Sequence, residues 1–106
     1  HGGRQLDGVI PTAVALREVA EALGGRLPLL VDGGVRSGGD VVRALSLGAD
    51  AVLLGRPYLW ALAAGGQAGV EAALAALVED TARTLTLVGA ATPAEVTAEH
   101  TRLRGW

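Results

Sequence analysis

The sequence predicts a parallel α/β fold, and only a portion of one. Two short apolar runs, 27–31 and 50–54, each lead into glycine. Helical patterns alternate with these runs, as in a parallel sheet covered by helices. Both runs are apolar at consecutive positions, which suits strands buried on both faces.

In chain order, residues 1–11 show no period and read as a loop. Residues 12–23 form a helix, because Leu16, Val19, Ala20 and Leu23 fall on one stripe. Thr12 is its expected N-cap and Gly24-Gly25 its stop. The first strand, 27–31, breaks into Asp32-Gly33-Gly34. A helix over 39–47 places Val41, Ala44 and Leu45 on one side and stops at Gly48. The second strand, 50–54, ends at Gly55-Arg56-Pro57. A short helix over 57–64 is broken by Gly65-Gly66. The longest helix, 67–88, turns Val70, Leu74, Leu77, Val78, Thr81 and Leu85 inward. Thr92-Pro93-Ala94-Glu95 has the pattern of a capping box, so a last helix is expected from about 93 to 103.

Composition narrows the class. The 106 residues allow one domain, 1–106. Half the chain is apolar and the mean hydropathy is +0.38, which excludes intrinsic disorder. No uninterrupted apolar run approaches the ~18 residues of a membrane span. A net charge of −2 gives no reason to expect nucleic acid. With no Cys, there is neither a disulfide framework nor a thiolate nucleophile. The chain has no Met and no Lys, and its nine fixed cations are all Arg. A start other than Met sets the expectation that it is part of a longer protein.

Two parallel strands cannot cover both their faces and edges, so the chain is not self-sufficient. A (β/α)8 barrel needs about 250 residues. The simplest reading is the C-terminal part of a TIM (β/α)8 barrel, with its last two strands and closing helices.

In such barrels the chemistry sits where strands end, and phosphate often binds behind the last two. After the first strand come Asp32, Gly33, Gly34, Val35 and Arg36; after the second come Gly55 and Arg56. Adjacent glycines let backbone amides approach an anion, and the helix after the first bend points its positive end there. Arginine can fork two donors onto phosphate oxygens. A lone Gly-Gly is more often a plain turn. Two such strand ends, each followed by a helix, favour a phosphate site. In the opening loop, His1 could take a proton from a small acid whose carboxylate Arg4 grips. Taken alone, a terminal His is usually solvated and a loop Arg is usually surface charge.

The segments His1-Gly2-Gly3-Arg4-Gln5-Leu6-Asp7, Val31-Asp32-Gly33-Gly34-Val35-Arg36 and Leu54-Gly55-Arg56-Pro57-Tyr58 closely resemble the FMN-dependent α-hydroxy acid dehydrogenase/oxidase family. Glycolate oxidase, lactate oxidase and mandelate dehydrogenase belong to it. The resemblance runs nearly the whole length, through Ala44–Ala49 and Ala63–Val70. It implies oxidation of a small 2-hydroxy acid to a 2-oxo acid with FMN. His1 matches the family's catalytic base and Arg4 the residue that binds the substrate carboxylate. Asp32, Gly33, Gly34, Val35 and Arg36 match the flavin-binding segment. Gly55 and Arg56 match the phosphate-binding pair. Asp7 is expected to be a loop or ion-pair residue. The proton could leave the α-carbon or the hydroxyl, and both routes stay open. The electron acceptor is oxygen, a quinone or a cytochrome.

The resemblance further implies a homo-oligomer, a tetramer, in the cytoplasm, or at a membrane if the enzyme is a dehydrogenase. No metal is implied. The family's flavin-contacting lysine and substrate tyrosines are expected in a missing N-terminal barrel segment, so this chain alone is expected to be inactive. Two alternatives remain. One is another FMN- or phosphate-binding barrel, of the type 2 isopentenyl diphosphate isomerase or IMP dehydrogenase kind. The other is a non-catalytic phosphate-binding fragment.

Overall fold

Pro28 has no backbone N–H to give a ladder, and this sets where the sheet begins. The Leu29 amide donates to the Asp50 carboxylate at 2.7 Å, and the Asp50 amide donates to the Leu29 carbonyl at 2.8 Å. This reciprocal pair closes the entry to the sheet. The strands follow it as Leu30–Asp32 (β1) and Ala51–Leu53 (β2), so β1 starts three residues later than the hydropathy pattern predicts. They pair in parallel, Leu30 with Ala51, Val31 with Val52 and Asp32 with Leu53. The computed structural model describes residues 1–102.

Three helices complete the α/β architecture: Thr12–Leu23 (α1), Gly38–Ser46 (α2) and Arg56–Val88 (α3). α1 has the expected limits, ending at Gly24 in the left-handed conformation. Its N-cap is Pro11 rather than Thr12, and no side chain caps it. α2 connects the two strands, which makes the β-α-β crossover of a parallel pair.

α3 joins the two helices expected over 57–64 and 67–88. Gly65 and Gly66 leave helical geometry between them, and Gly66 takes φ +57, ψ −144. A side chain rarely tolerates that backbone, so the Gly-Gly pair places the kink. By length and composition alone α3 could cross a membrane; here it is bent and packed on α2.

Two clusters hold these elements together. Leu16, Val31, Ala44 and Ala49 pack between α1, the sheet and α2. Val42, Leu85 and Ala90 join α2 to the second arm of α3, with Val96 against them. Of the residues expected inward on α3, Leu85 is buried and Val70, Leu77 and Thr81 are half-buried. Leu74 and Val78 are exposed, Val78 to 69%.

The sheet itself is covered on one face. Val31 is 6% exposed, whereas Leu30 and Leu53 are 54% and 48% exposed. Residues patterned for burial on both sides thus meet helices on one side only within this chain.

The expected helix over 93–103 does not form. Short 3-10 turns occupy Pro93–Glu95 and Ala98–His100, separated by extended Val96 and Thr97. The predicted capping box does not form: Glu95 accepts the Ala91 amide at 3.0 Å and the Thr92 hydroxyl at 3.1 Å, not the Thr92 amide. The Thr92 side chain accepts nothing in return. Val96 and Thr97 are β-branched and favour extended backbone, and Val96 gains burial there. Thr97 then starts a second turn, its amide donating to His100 Nδ1 at 3.0 Å. Residue 103 lies outside the described residues.

Candidate functional site at the strand ends

Because β1 and β2 run parallel and in step, their C-terminal ends emerge side by side. This brings the Asp32–Arg36 bend next to Gly55–Arg56, as the sequence predicts. Gly33 and Gly34 turn the chain with φ of +110 and +83. A Cβ on Gly33 would sit 2.7 Å from Thr12 Oγ1, so the first residue of α1 lies directly on this bend. The loop leading into α1 therefore arrives at the same edge of the sheet.

Nothing fills the space around Gly34 or Gly55 within 4 Å of a built Cβ. Among the described residues, no hydrogen bond occupies the amides of Gly34 and Val35. The Val35 side chain is buried, so this residue can offer a ligand only its backbone. Arg36 is exposed and lines a cleft of about 120 Å³ with Leu54, Pro57, Tyr58, Ala73, Leu74 and Leu77. The guanidinium-bearing residue of the first bend thus shares a wall with the first turn of α3, where Arg56 sits. A larger cleft of about 360 Å³ runs beside Gly33, Gly34 and Val31, between α1 and α2.

One expectation holds only in part. Of the first-turn amides of α2, those of Gly38 and Asp40 are already held by groups of the chain, and only that of Gly39 has no acceptor among the described residues. Asp40 Oδ2 accepts the amides of Arg36 and Ser37, both at 3.1 Å, and the Ser37 hydroxyl at 2.9 Å. In return Ser37 Oγ accepts the Asp40 amide at 3.2 Å, completing a capping box. Asp80 Oδ2, from α3, accepts the Gly38 amide at 2.6 Å. Among the described residues, the amides of Gly34, Val35 and Gly39 have no acceptor at this edge, and Arg36 and Arg56 are exposed beside them.

Burial alone would raise the Asp40 pKa. The Ser37 hydroxyl, the Arg36 amide, the Arg43 guanidinium at 2.8 Å and the Ser37 amide together outweigh it and hold the carboxyl below its usual range.

His1 and Arg4 share one 3-10 turn, with the Arg4 amide donating to the His1 carbonyl at 3.1 Å. Both are exposed. Among the described residues, no hydrogen bond, ion pair or cleft joins them to the strand-end bends. Asp7 is an exposed loop residue. Of the site residues missed in the sequence, the Ser37-x-x-Asp40 box was readable from spacing. Asp80 had no signal, lying 42 positions from its partner. No cluster of three or more metal-ligating side chains occurs among the described residues.

The profile of the FMN-dependent dehydrogenases matches residues 1–103. The chain belongs to the FMN-dependent dehydrogenase family. Within that family it is 54% identical over 99 residues to an L-lactate dehydrogenase of Xanthomonas euvesicatoria pv. vesicatoria, covering 93% of this chain and 26% of that protein. The L-lactate dehydrogenase of Serratia proteamaculans gives the same identity and coverage. Among solved structures, mandelate oxidase with 3,3-difluoro-2-hydroxy-3-phenylpropionic acid superposes with a TM-score of 0.89 at 49% identity, over 92% of this chain and 30% of that one. A mandelate oxidase mutant with a monooxide FMN adduct gives 0.88 at 50% identity, over 91% and 31%. This family member therefore spans about a quarter of the curated relatives it matches. FMN, expected from the motifs, is the cofactor named for the family.

Proposed function

We propose that residues 1–106 are the C-terminal portion of one FMN-binding (β/α)8 barrel, carrying its last two strands. The barrel oxidises a small 2-hydroxy acid to the 2-oxo acid. The observation that carries this is the adjacency of two glycine-and-arginine bends at the ends of in-register parallel strands, in a chain of this family. Support for the substrate class comes from relatives named for lactate and mandelate.

The residues present fit an FMN phosphate. Arg36 lines the cleft beside the first turn of α3, which Arg56 opens, and a Cβ on Gly34 or Gly55 would meet open space. Asp32 is an anion and would repel a phosphate; its carboxylate suits the hydroxyls of a ribityl chain. Gly33 keeps the Asp32 bend clear of Thr12. When bound, FMN supplies the two-electron sink that amino-acid side chains lack.

The remaining steps belong to the opening loop. Arg4 fixes the substrate carboxylate through two parallel hydrogen bonds, which orients the α-carbon. His1 takes one proton as the hydroxy acid loses two electrons. The exposed 3-10 turn keeps both side chains free for this use. Oxygen, a quinone or a cytochrome then receives the electrons. We assign the whole enzyme to a cytoplasmic homo-oligomer, a tetramer, or to a membrane surface if it is a dehydrogenase. The bare sheet face supports an N-terminal barrel segment as a further partner, without which the chain is inactive.

A panel of 2-hydroxy acids tested for flavin bleaching in the whole enzyme decides the class. Bleaching by a hydroxy acid is expected; bleaching by none of them overturns the reading. In the same assay Arg4→Lys raises KM and lowers kcat, each by roughly tenfold, because a point charge loses the fork. Unchanged kinetics would mean that Arg4 does not hold the carboxylate.

A further inference from the structure

α3 touches both phosphate bends, and it does so from its two arms. Its first residue is Arg56, one of the two forked cations. In its second arm, beyond the Gly65-Gly66 kink, Asp80 reaches the other bend. Asp80 Oδ2 accepts the Gly38 amide at 2.6 Å, while Oδ1 faces Arg83 at 3.8 Å. Gly38 itself is buried. A Cβ there would collide with the Asp80 carbonyl carbon and the Thr81 nitrogen, so the two backbones meet without a side chain between them. The Val42, Leu85 and Ala90 cluster fastens the same pair of helices further along.

This contact lies two residues beyond Arg36. Asp40 holds the Arg36 and Ser37 amides from within α2. Asp80 holds the next amide from outside it. Asp40 can shape the bend but cannot locate it, because it moves with α2. Asp80 lies on the second arm of α3, joined through the Gly65-Gly66 kink to the arm that Arg56 opens, so it alone among these acceptors connects the first bend to the segment that follows the second.

We propose that Asp80 is a positioning residue for the phosphate site: through Gly38 it sets the place of the Arg36 bend relative to Arg56. The proposal rests on the assignment of that edge to the FMN phosphate. Asp80 does not touch the ligand, and its negative charge would oppose an anion. Its effect passes through the backbone, where a charged acceptor makes a stronger hydrogen bond than a neutral one.

The test compares FMN with riboflavin, the same flavin without the phosphate, by fluorescence titration of the whole apoprotein. In Asp80→Asn, which keeps an acceptor oxygen but loses the charge, FMN Kd is expected to rise about tenfold while riboflavin Kd stays within about twofold. Asp80→Ala should widen the same gap, and Asp80→Asn keeps the question open to test if the alanine variant does not fold. Equal weakening of both flavins in Asp80→Asn would mark Asp80 as a general fold contact and overturn the proposal. So would no change in either. Arg36→Ala serves as the reference. If it loses FMN selectively while Asp80→Asn does not, the positioning role alone falls. If Arg36→Ala weakens both flavins equally, the phosphate assignment falls and takes the proposal with it.

Discussion

The bend after β1 and the loop that opens the chain are both assigned to ligand, yet they are built in opposite ways. Behind the bend, three successive amides, those of Arg36, Ser37 and Gly38, are each held by a carboxylate at 2.6–3.1 Å. Two helices and a hydrophobic cluster stand behind those carboxylates. The opening loop has one 3-10 turn, and the side chains of His1 and Arg4 are exposed. A preorganised site needs its donors fixed before the ligand arrives. Within this chain the backbone behind the proposed phosphate site is held in this way. The opening loop has no comparable support among the described residues. Flavin anchoring and acid chemistry should therefore be separable by mutation.

The largest effect expected from that separation is at His1. In the whole enzyme, His1→Ala should slow flavin reduction by about 10²–10⁴-fold, the usual worth of a positioned base. FMN affinity, measured by titrating the apoprotein, should not move. A variant that loses FMN as well would show that the two halves are one cooperative unit.

A smaller effect comes from adding one methyl group to each half. At Gly38 the new Cβ meets the Asp80 and Thr81 backbone, which cannot swing aside as a side chain could. Overpacking of this kind costs about 1–3 kcal/mol. At Gly3 the nearest atom is Val9 Cγ2 at 3.9 Å, an ordinary contact. Gly3→Ala should stay within about 0.5 kcal/mol of wild type, as surface changes usually do. Chemical denaturation of the two variants gives the comparison. Equal midpoints would mean that the bend tolerates as much change as the loop.

The same contrast shows what could be read in the sequence. Local signals carried through. The stripe Leu16, Val19, Ala20, Leu23 gave α1 its limits, Gly65-Gly66 gave the kink, and the strand-end glycines and arginines came together as the parallel register requires. Failures occurred where a distant partner outweighed a local pattern. Asp50, 21 positions away, took the Leu29 amide and helped set the start of β1, although Pro28 inside the run was a local sign that the strand starts late. Val96 left the expected last helix for a place against Val42 and Leu85. Asp80 occupied the Gly38 amide, one of those a helix N-terminus was expected to offer. The opening loop resembled its family closely in sequence. Among the described residues, its His1 and Arg4 side chains nevertheless make no hydrogen bond or ion pair with the bends, and both are exposed.

The gentlest probe of the comparison is acid, which acts on the bend through Asp40. Its carboxyl titrates below the usual 3.8 in the folded chain, so in that window the unfolded chain binds more protons. The stabilisation is therefore fully present above pH 3.8 and disappears as the pH falls through the lower folded value. Asp40→Asn resembles the protonated state at every pH. Wild type should exceed this variant by about 1 kcal/mol, the worth of a helix cap, at neutral pH. The difference should begin to close as the pH drops below 3.8 and vanish once it passes the lower folded value, where both chains carry a neutral group at this position. Parallel curves of stability against pH would mean that the Ser37, Arg36 and Arg43 contacts do not favour the charged carboxylate. The bend would then owe its rigidity to packing against α3 rather than to its own charge.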